Sequence, residues 1–375
     1  MDAPSLFLEL GALLVVLAGA ARLGERLGLS PIPLYLLVGL ALGEGGLYPL
    51  VTAEGFIEAG AEIGVVLLLL LLGLEYSPGE LLGGLRSNAA AAGLDLLLNF
   101  TPGMAAGLLL GWGVLGGAVL GGATYISSSG IAAKVVEDFG WLANREIPTV
   151  LSLLVAEDLV MAVYLPLVGA LLVGGSPASV GVSAAVAMAA AGIVLLVALR
   201  YGSMVSRVVF SHSNEALLLG VLGLTLLVGG AAETLHVSAA VAAFLIGIAF
   251  SGPLQEGARG LLHPLRDLFA ATFFVFFGLG IDPADIPAAA PAAALLALAT
   301  AVTKAATAWW AGRRAGVASR GRWRAASVLM ARGEFSIVVA ELGVASNLHP
   351  SIGPVAATYV LLLAISGPLA ARQFR

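Results

Sequence analysis

The chain is 375 residues long, 59% hydrophobic and only 11% charged, with a formal net charge of −5. Soluble proteins carry roughly 25% charged residues, so this composition excludes a soluble globular class and leaves a polytopic α-helical membrane protein. The net charge identifies no partner, because a membrane sorts charges by side, and the absence of cysteine excludes disulfides, thiol chemistry and Cys-based metal sites.

The opening MDAPSLFLEL has no basic segment, so it reads as the start of a first span and not as a cleaved signal peptide. About twenty apolar residues cross the hydrocarbon core of a bilayer. Apolar runs bounded by Gly, Pro and charge clusters predict an all-α chain of about thirteen spans, near residues 5–22, 31–43, 56–75, 88–110, 113–137, 148–172, 178–200, 214–232, 238–251, 265–281, 289–312, 324–345 and 351–371. The fifth and the twelfth contain polar interruptions.

The basic residues support this division. Fifteen of the 18 Lys and Arg fall in alternate connections or the C-terminal tail: Arg22, Arg26, Arg86, Arg145, Arg200, Arg207, Arg259, Arg266, Arg313, Arg314, Arg320, Arg322, Arg324, Arg372 and Arg375. The intervening connections carry acids, among them Glu44, Glu54, Asp282 and Asp285. The positive-inside rule then predicts an inner or plasma membrane protein with its N-terminus outside and its C-terminus in the cytoplasm, as an odd number of spans requires. Lys134, Lys304 and Arg332 are the exceptions, each in or against a span.

A weak internal repeat accompanies this pattern. LVGLAL at 37–42 resembles LIGIAF at 245–250, an offset of 208 residues, and Gly73-Leu74 before Pro78 resembles Gly278-Leu279 before Pro283, an offset of 205. The two interrupted spans fall about 208 apart as well, Thr124 against Arg332. Six spans in each half around a seventh predict halves of opposite orientation, the inverted-repeat plan of secondary transporters.

Polar residues inside the spans carry the chemistry. Span four places Asp95 and Asn99 at i and i+4 on one helix face. Two accounts stand: hydrogen bonding to a neighbouring helix, or a pairing of Asp95 with Lys304, beside which the offset places it. Span five reads GGATYISSSGIAAKVVEDFG, where Thr124, Ser127, Ser128 and Ser129 among glycines make a poor continuous helix in lipid. A break at that depth is tolerated only where it is buried or lines a wet cavity; the alternative is serine hydroxyls bonding back to an unbroken helix.

Span six, PTVLSLLVAEDLVMAVYLPLVGALL, holds the adjacent Glu157 and Asp158. An ionised Asp at the centre of a span costs about 2.5–3.5 kcal/mol even on insertion scales, so the pair suggests a place where protons and cations come and go. Span eleven carries Lys304 too deep to snorkel easily, and a buried lysine needs a counter-charge or loses its proton; Glu157, Asp158 and Glu334 are the candidates. Span twelve breaks at Ala331-Arg332-Gly333-Glu334-Phe335. Two broken helices in matching positions point to a binding site at the bilayer midplane.

Other patterns carry nothing. GWGVLG at 111–116 matches a dinucleotide-binding fingerprint by letters but lacks the strand and βαβ context. His212, His236, His263 and His349 all read as lying in connections, so no metal cluster or catalytic triad is built from them. No phosphate loop is present, so neither ATP nor another cofactor is expected, and Glu62 reads as a rim residue.

These residues resemble the cation/proton antiporter superfamily, in particular its Kef-like, monovalent cation:proton antiporter-2 branch. AEIGVVLLLLLLGLE (61–75) resembles that branch's third span, SSSGIAAKVVEDFG (127–140) its Ser-Ser-Thr segment, VSAAVAAFLIGIAFSG (237–252) its glycine-rich ninth span and ARGEFSIV (331–338) its Gln-Arg-Gly-Glu-Phe motif. The resemblance implies the sodium/proton antiporter fold: thirteen spans, inverted six-span repeats and two crossed discontinuous helices. It implies a transport core of spans four to six (83–173) and eleven to thirteen (288–375), scaffold spans one to three (1–82) and eight to ten (211–287), and a linker span seven (174–210). It further implies a homodimer and a core that slides against the scaffold. Where Kef-like proteins commonly have Phe-Gln-Asp and Gln, this chain has Ala156-Glu157-Asp158 and Ala331, and it stops at Arg375 without a regulatory nucleotide-binding domain.

By that resemblance Asp158 binds cation and proton in turn, and Lys304 matches the lysine of charge-moving sodium antiporters. Glu157 is assigned to Lys304 or to a second proton. Thr124 and Ser128 are further candidate ion ligands, Arg332 and Glu334 compensate charge, and Asp95, Asn99 and Ser127 stand behind them. The expected function is exchange of Na⁺ or K⁺ for protons, with no enzymatic step and no nucleic-acid partner. The rivals are a passive cation channel and an organic-anion symporter on a similar fold, in which Arg332 would hold a substrate carboxylate.

Overall fold

The computed structural model describes residues 3–43, 45–47, 54–75, 78–172, 210–234, 239–250 and 252–374, with isolated positions between 189 and 209. All regular structure among them is helical: α1 (Ala3–Leu27), α2 (Ile32–Leu42), α3 (Glu54–Glu75), α4 (Pro78–Leu109), α5 (Gly113–Tyr125), α6 (Ser129–Asp138), α7 (Ile147–Leu172), α8 (Asn214–Thr234), α9 (Ala239–Ala249), α10 (Pro253–Leu279), a 3-10 turn (Pro283–Asp285) leading into α11 (Ile286–Arg314), α12 (Ser319–Leu329), α13 (Glu334–Ala345) and α14 (Ile352–Arg372). Eight described stretches are long and apolar enough to cross a membrane. The predicted seventh span, 178–200, lies outside the described residues apart from two isolated positions.

Span five is two helices, α5 and α6, and span twelve is two helices, α12 and α13. Elsewhere the differences from the sequence reading have a common cause. Hydropathy marks where a helix enters hydrocarbon, not where it starts. The helix of span four begins at Pro78 and that of span ten at Pro253, each with a helix-starting proline. In α10 the added turns form an amphipathic stripe, with Leu254, Ala258 and Leu262 buried at i, i+4 and i+8. Arg86, Arg259, His263 and Arg266 therefore lie on helices and not in the connections assigned to them.

The chain divides into two compact units. The first comprises residues 1–57, 85–158 and 274–375. Its apolar core includes Ile131, Val135, Val150, Leu153, Ala308, Ala325, Leu329 and Ala364. The second comprises residues 58–84 and 159–273, with a core of Leu67, Leu70, Leu74, Val221, Ala243, Phe250 and Leu262 among others.

Glycines set the closest helix contacts in each unit. In the first, a Cβ on Gly39 of α2 would lie 2.3 Å from the carbonyl oxygen of Val275 and 2.8 Å from the Cα of Gly278 on α10. In the second, a Cβ on Gly73 of α3 would lie 2.2 Å from the carbonyl oxygen of Phe244 and 2.8 Å from the Cα of Gly247 on α9. Neither contact admits a side chain. The sequence offsets of 208 and 205 carry Gly39 to Gly247 and Gly73 to Gly278, so they exchange one contact for the other.

Candidate functional site

Two helix breaks meet in the first unit. α5 stops at Tyr125, where Ile126 turns extended (φ −77°, ψ 130°). α12 stops at Leu329, and α13 starts only at Glu334. A helix end leaves unpaired carbonyl or N–H groups, which in lipid must find partners inside the protein. Here each break supplies the other. Ser128 N donates to Ala331 O at 2.9 Å, and Ser127 Oγ donates to Leu329 O at 2.8 Å. The approach is close enough that a Cβ on Gly333 would lie 2.5 Å from Ser128 Oγ, which accounts for the glycine at that position.

Arg332 caps both C-terminal ends. Fully buried, it donates from Nη1 to Leu329 O (2.9 Å), Met330 O (3.3 Å), Ala331 O (3.4 Å) and Ser127 Oγ (3.3 Å), from Nη2 to Thr124 O (3.0 Å), and from Nε to the Tyr359 hydroxyl (3.1 Å). A cation at the negative ends of two helices offsets their dipoles. Ser128 caps the opposite side: its Oγ accepts from Ile131 N at 3.2 Å, in the manner of an N-cap, and donates to Glu334 Oε2 at 3.1 Å. Glu334 itself lies in the first turn of α13, where the helix dipole favours a negative charge.

Beside the breaks lies a cluster of buried charges. Lys304, on α11, directs its ammonium at Asp95 Oδ1 and Oδ2 of α4, both at 2.8 Å, and at Glu157 Oε1 of α7 at 2.7 Å. All three side chains are at most 1% exposed. Glu157 also accepts from the Ser127 backbone N–H through Oε2 and from Ser127 Oγ at 3.2 Å through Oε1. Asn99 holds Asp95 from one turn along α4, its Nδ2 at 2.9 Å from Asp95 Oδ1, while Thr303 Oγ1 donates to Asn99 Oδ1 at 2.8 Å. Asp158, the next residue on α7, is buried too.

The residues singled out by sequence thus gather in one place. Of the two accounts of Asp95, both describe part of the geometry: it pairs with Lys304 and is hydrogen-bonded by Asn99. Glu157 is a counter-charge of Lys304, as one of the three candidates proposed. The Thr124 hydroxyl donates to backbone, with Asn99 O at 2.9 Å and Gly121 O at 3.0 Å, so only its lone pairs remain for an ion. Sequence reasoning passed over Thr300, Thr303, Thr307, Tyr125 and Tyr359. The threonines were legible: with Lys304 they fall at i, i+3, i+4 and i+7, one polar stripe on α11. The tyrosines gave no such signal. Tyr359 links Arg332 to Thr300, whose Oγ1 is 3.0 Å from the Tyr359 hydroxyl.

An all-helical membrane chain whose two helix breaks meet beside buried carboxylates has the build of a secondary transporter. Its fold is similar to that of the sodium proton antiporter MjNhaP1 from Methanocaldococcus jannaschii, with a TM-score of 0.74 at 17% identity over 100% of this chain and 98% of that one. The chain belongs to the family described as sodium/hydrogen exchanger, transmembrane, whose profile matches residues 12–372. It is 34% identical to the K(+)/H(+) antiporter subunit KhtU of Bacillus subtilis over 98% of this chain and 93% of the relative. It is 30% identical to the ammonium/H(+) antiporter subunit AmhT of Alkalihalophilus pseudofirmus, over 92% and 88% respectively.

Proposed function

We propose that this protein exchanges a monovalent cation, Na⁺ or K⁺, for protons, with both competing for the carboxylate of Asp158. One observation carries the assignment: Glu157 is committed to Lys304 and to Ser127. Asp158, about 100° further around the same helix, addresses a different direction and is the carboxylate assigned to the ion. An anionic Asp158 crosses a low-dielectric barrier poorly, whereas a carboxylate neutralised by either ion crosses more easily. Proton and cation cannot occupy it together, so competition alone enforces exchange.

The core spans that contain Asp95, Glu157, Asp158, Lys304 and Arg332 would carry the loaded site from one side to the other as a body, in elevator-type alternating access. Residues 83–173 and 288–375 form the proposed transport core, built as inverted repeats; the pairs Asp95–Lys304, Asn99–Thr307 and Thr124–Arg332, separated by 208 or 209 residues, support that plan. The protein would sit in the inner or plasma membrane as a homodimer, with its C-terminus in the cytoplasm. Kinship with relatives named for K⁺/H⁺ and ammonium/H⁺ antiport supports a monovalent substrate. Against organic-anion symport stands the state of Arg332, whose guanidinium is spent on helix ends.

The test is proton flux into sealed proteoliposomes with a preset pH gradient, on addition of Na⁺, K⁺ or Li⁺. Cation-dependent dissipation is expected, and Asp158→Asn should abolish it. An Asp158→Asn protein that still exchanges would sink the mechanism.

A further inference from the structure

Tyr125 closes α5 at the edge of the first break, and its side chain is fully buried. Its ring faces the Lys304 ammonium, with Nζ 5.5 Å from the ring centroid, a cation–π contact that holds the ring in place. The hydroxyl at the far end of that ring has no hydrogen-bond partner among the described residues. Buried hydroxyls are nearly always paired, because an unmade hydrogen bond in a low-dielectric interior costs free energy.

The neighbouring polar groups are already engaged. The Lys304 ammonium is taken by Asp95 and Glu157, the Asn99 amide by Asp95 and Thr307, and the Thr124 hydroxyl proton by backbone. Glu157, Asp95 and Asp158 all lie within electrostatic reach of the Tyr125 hydroxyl, yet none hydrogen-bonds to it. The orphan hydroxyl is carried by the ring that covers the Lys304 ammonium, which Asp95 and Glu157 share, and the next residue on α7 is the buried Asp158, so three buried carboxylates stand against two buried cations, Lys304 and Arg332. That surplus of negative charge attracts a cation, and hard cations take oxygen ligands.

We infer that the Tyr125 hydroxyl is a neutral oxygen ligand of the transported cation, completing with Asp158 a site for a dehydrated monovalent ion. The inference rests on the antiport reading and deepens it. A neutral ligand adds coordination without adding a charge that a proton must also neutralise. The cation-loaded site needs the phenol oxygen, and the proton-loaded site does not. Tyr125 thereby separates the two competing substrates: its loss weakens cation binding and leaves proton binding unchanged.

The experiment is thermal stabilisation of the purified, full chain titrated with KCl, NaCl or NH₄Cl at constant ionic strength, with choline chloride as the control. The wild-type protein should be stabilised by at least one of these cations and not by choline. Tyr125→Phe keeps the ring over Lys304, so it should fold normally and need about tenfold more of that cation for half-effect, the loss of roughly one ligand. Tyr125→Leu removes the ring as well and should also lower the cation-free melting temperature. In vesicles, Tyr125→Phe should raise the cation KM by a similar factor while kcat at saturating cation stays within about twofold. An unchanged half-effect concentration in Tyr125→Phe for every cation overturns the inference, as does a wild-type protein that no cation stabilises. Cation stabilisation that shifts in Tyr125→Phe without any exchange in vesicles would leave the ligand standing and remove the antiport reading instead.

Discussion

At Lys304 a single ammonium serves two carboxylates, Asp95 and Glu157, at 2.7–2.8 Å in a site closed to solvent. Breaking such a buried group by removing one partner costs about 3–5 kcal/mol, mostly because the remaining charges are left without compensation. Lys304→Met should therefore lower unfolding stability in detergent by about that amount. Adding Asp95→Asn and Glu157→Gln to it should restore most of the loss, since neutral groups carry no such penalty. If Lys304→Met unfolds like the wild type, the triad does not hold charge as its geometry implies. The neighbouring Asp158 makes a second expectation at this scale. If protons and cations compete for its carboxylate as proposed, acidification removes the form that binds cation. On the acid side of the carboxylate's titration the cation KM should rise about tenfold per pH unit, with kcat unchanged, in flux assays at saturating and limiting cation. A fall in kcat at constant KM would mean that protonation acts elsewhere.

The two broken helices depend on each other at the scale of elements. α5 and α12 end in carbonyls that Arg332 gathers, and the second break comes within a hydroxyl's reach of the first. Lysine retains the charge of Arg332 but not its planar fork of donors, so it could satisfy fewer of those carbonyls at once. Arg332→Lys should cost about 1.5–3 kcal/mol, the range for charge-assisted hydrogen bonds, read as a lower denaturation midpoint. Gly333→Ala tests the approach itself. Its added Cβ would meet Ser128 Oγ at 2.5 Å, and the breaks would have to separate. Circular dichroism should be unchanged, and exchange at saturating cation should fall at least about tenfold, because a displacement of an ångström is enough to misplace reacting groups.

For the whole molecule, the distribution of basic residues makes the strongest claim. Arg313 and Arg314 end α11 and Arg320, Arg322 and Arg324 lie in the first half of α12, on either side of their connection, while Asp282 and Asp285 mark the opposite end of α11. The chain contains no cysteine, so single cysteines report without background. Arg320→Cys should react with a membrane-impermeant maleimide only from the cytoplasmic side of oriented vesicles, and Asp282→Cys only from outside. Both residues are exposed in the structure. Labelling with the sides reversed would overturn the orientation while leaving the site untouched.

Much of this was open to reading from the chain alone. An all-helical membrane class follows from apolar runs that only a bilayer can solvate, and the breaks at 126–128 and 330–333 were visible as glycine, serine and charge where lipid demands continuous helix. Glu157, Asp158 and Lys304 stood out because a lone charge in hydrocarbon is costly enough to need a reason. Those are local facts, and local free energies decide them. Partnership is not local. That Asp95 rather than Glu334 shares Lys304 with Glu157, and that Arg332 is consumed by helix ends, depend on contacts between residues 147 to 209 apart in sequence. Distances between them are set by packing, through contacts such as Gly39 on Gly278, and a one-dimensional pattern does not encode which side chain faces which across such a contact. The sequence by itself determined what kind of solvent this protein lives in and which residues pay the electrostatic cost; only the tertiary structure decided how those charges are paired, because pairing is a matter of a few ångströms between elements that the chain order keeps apart.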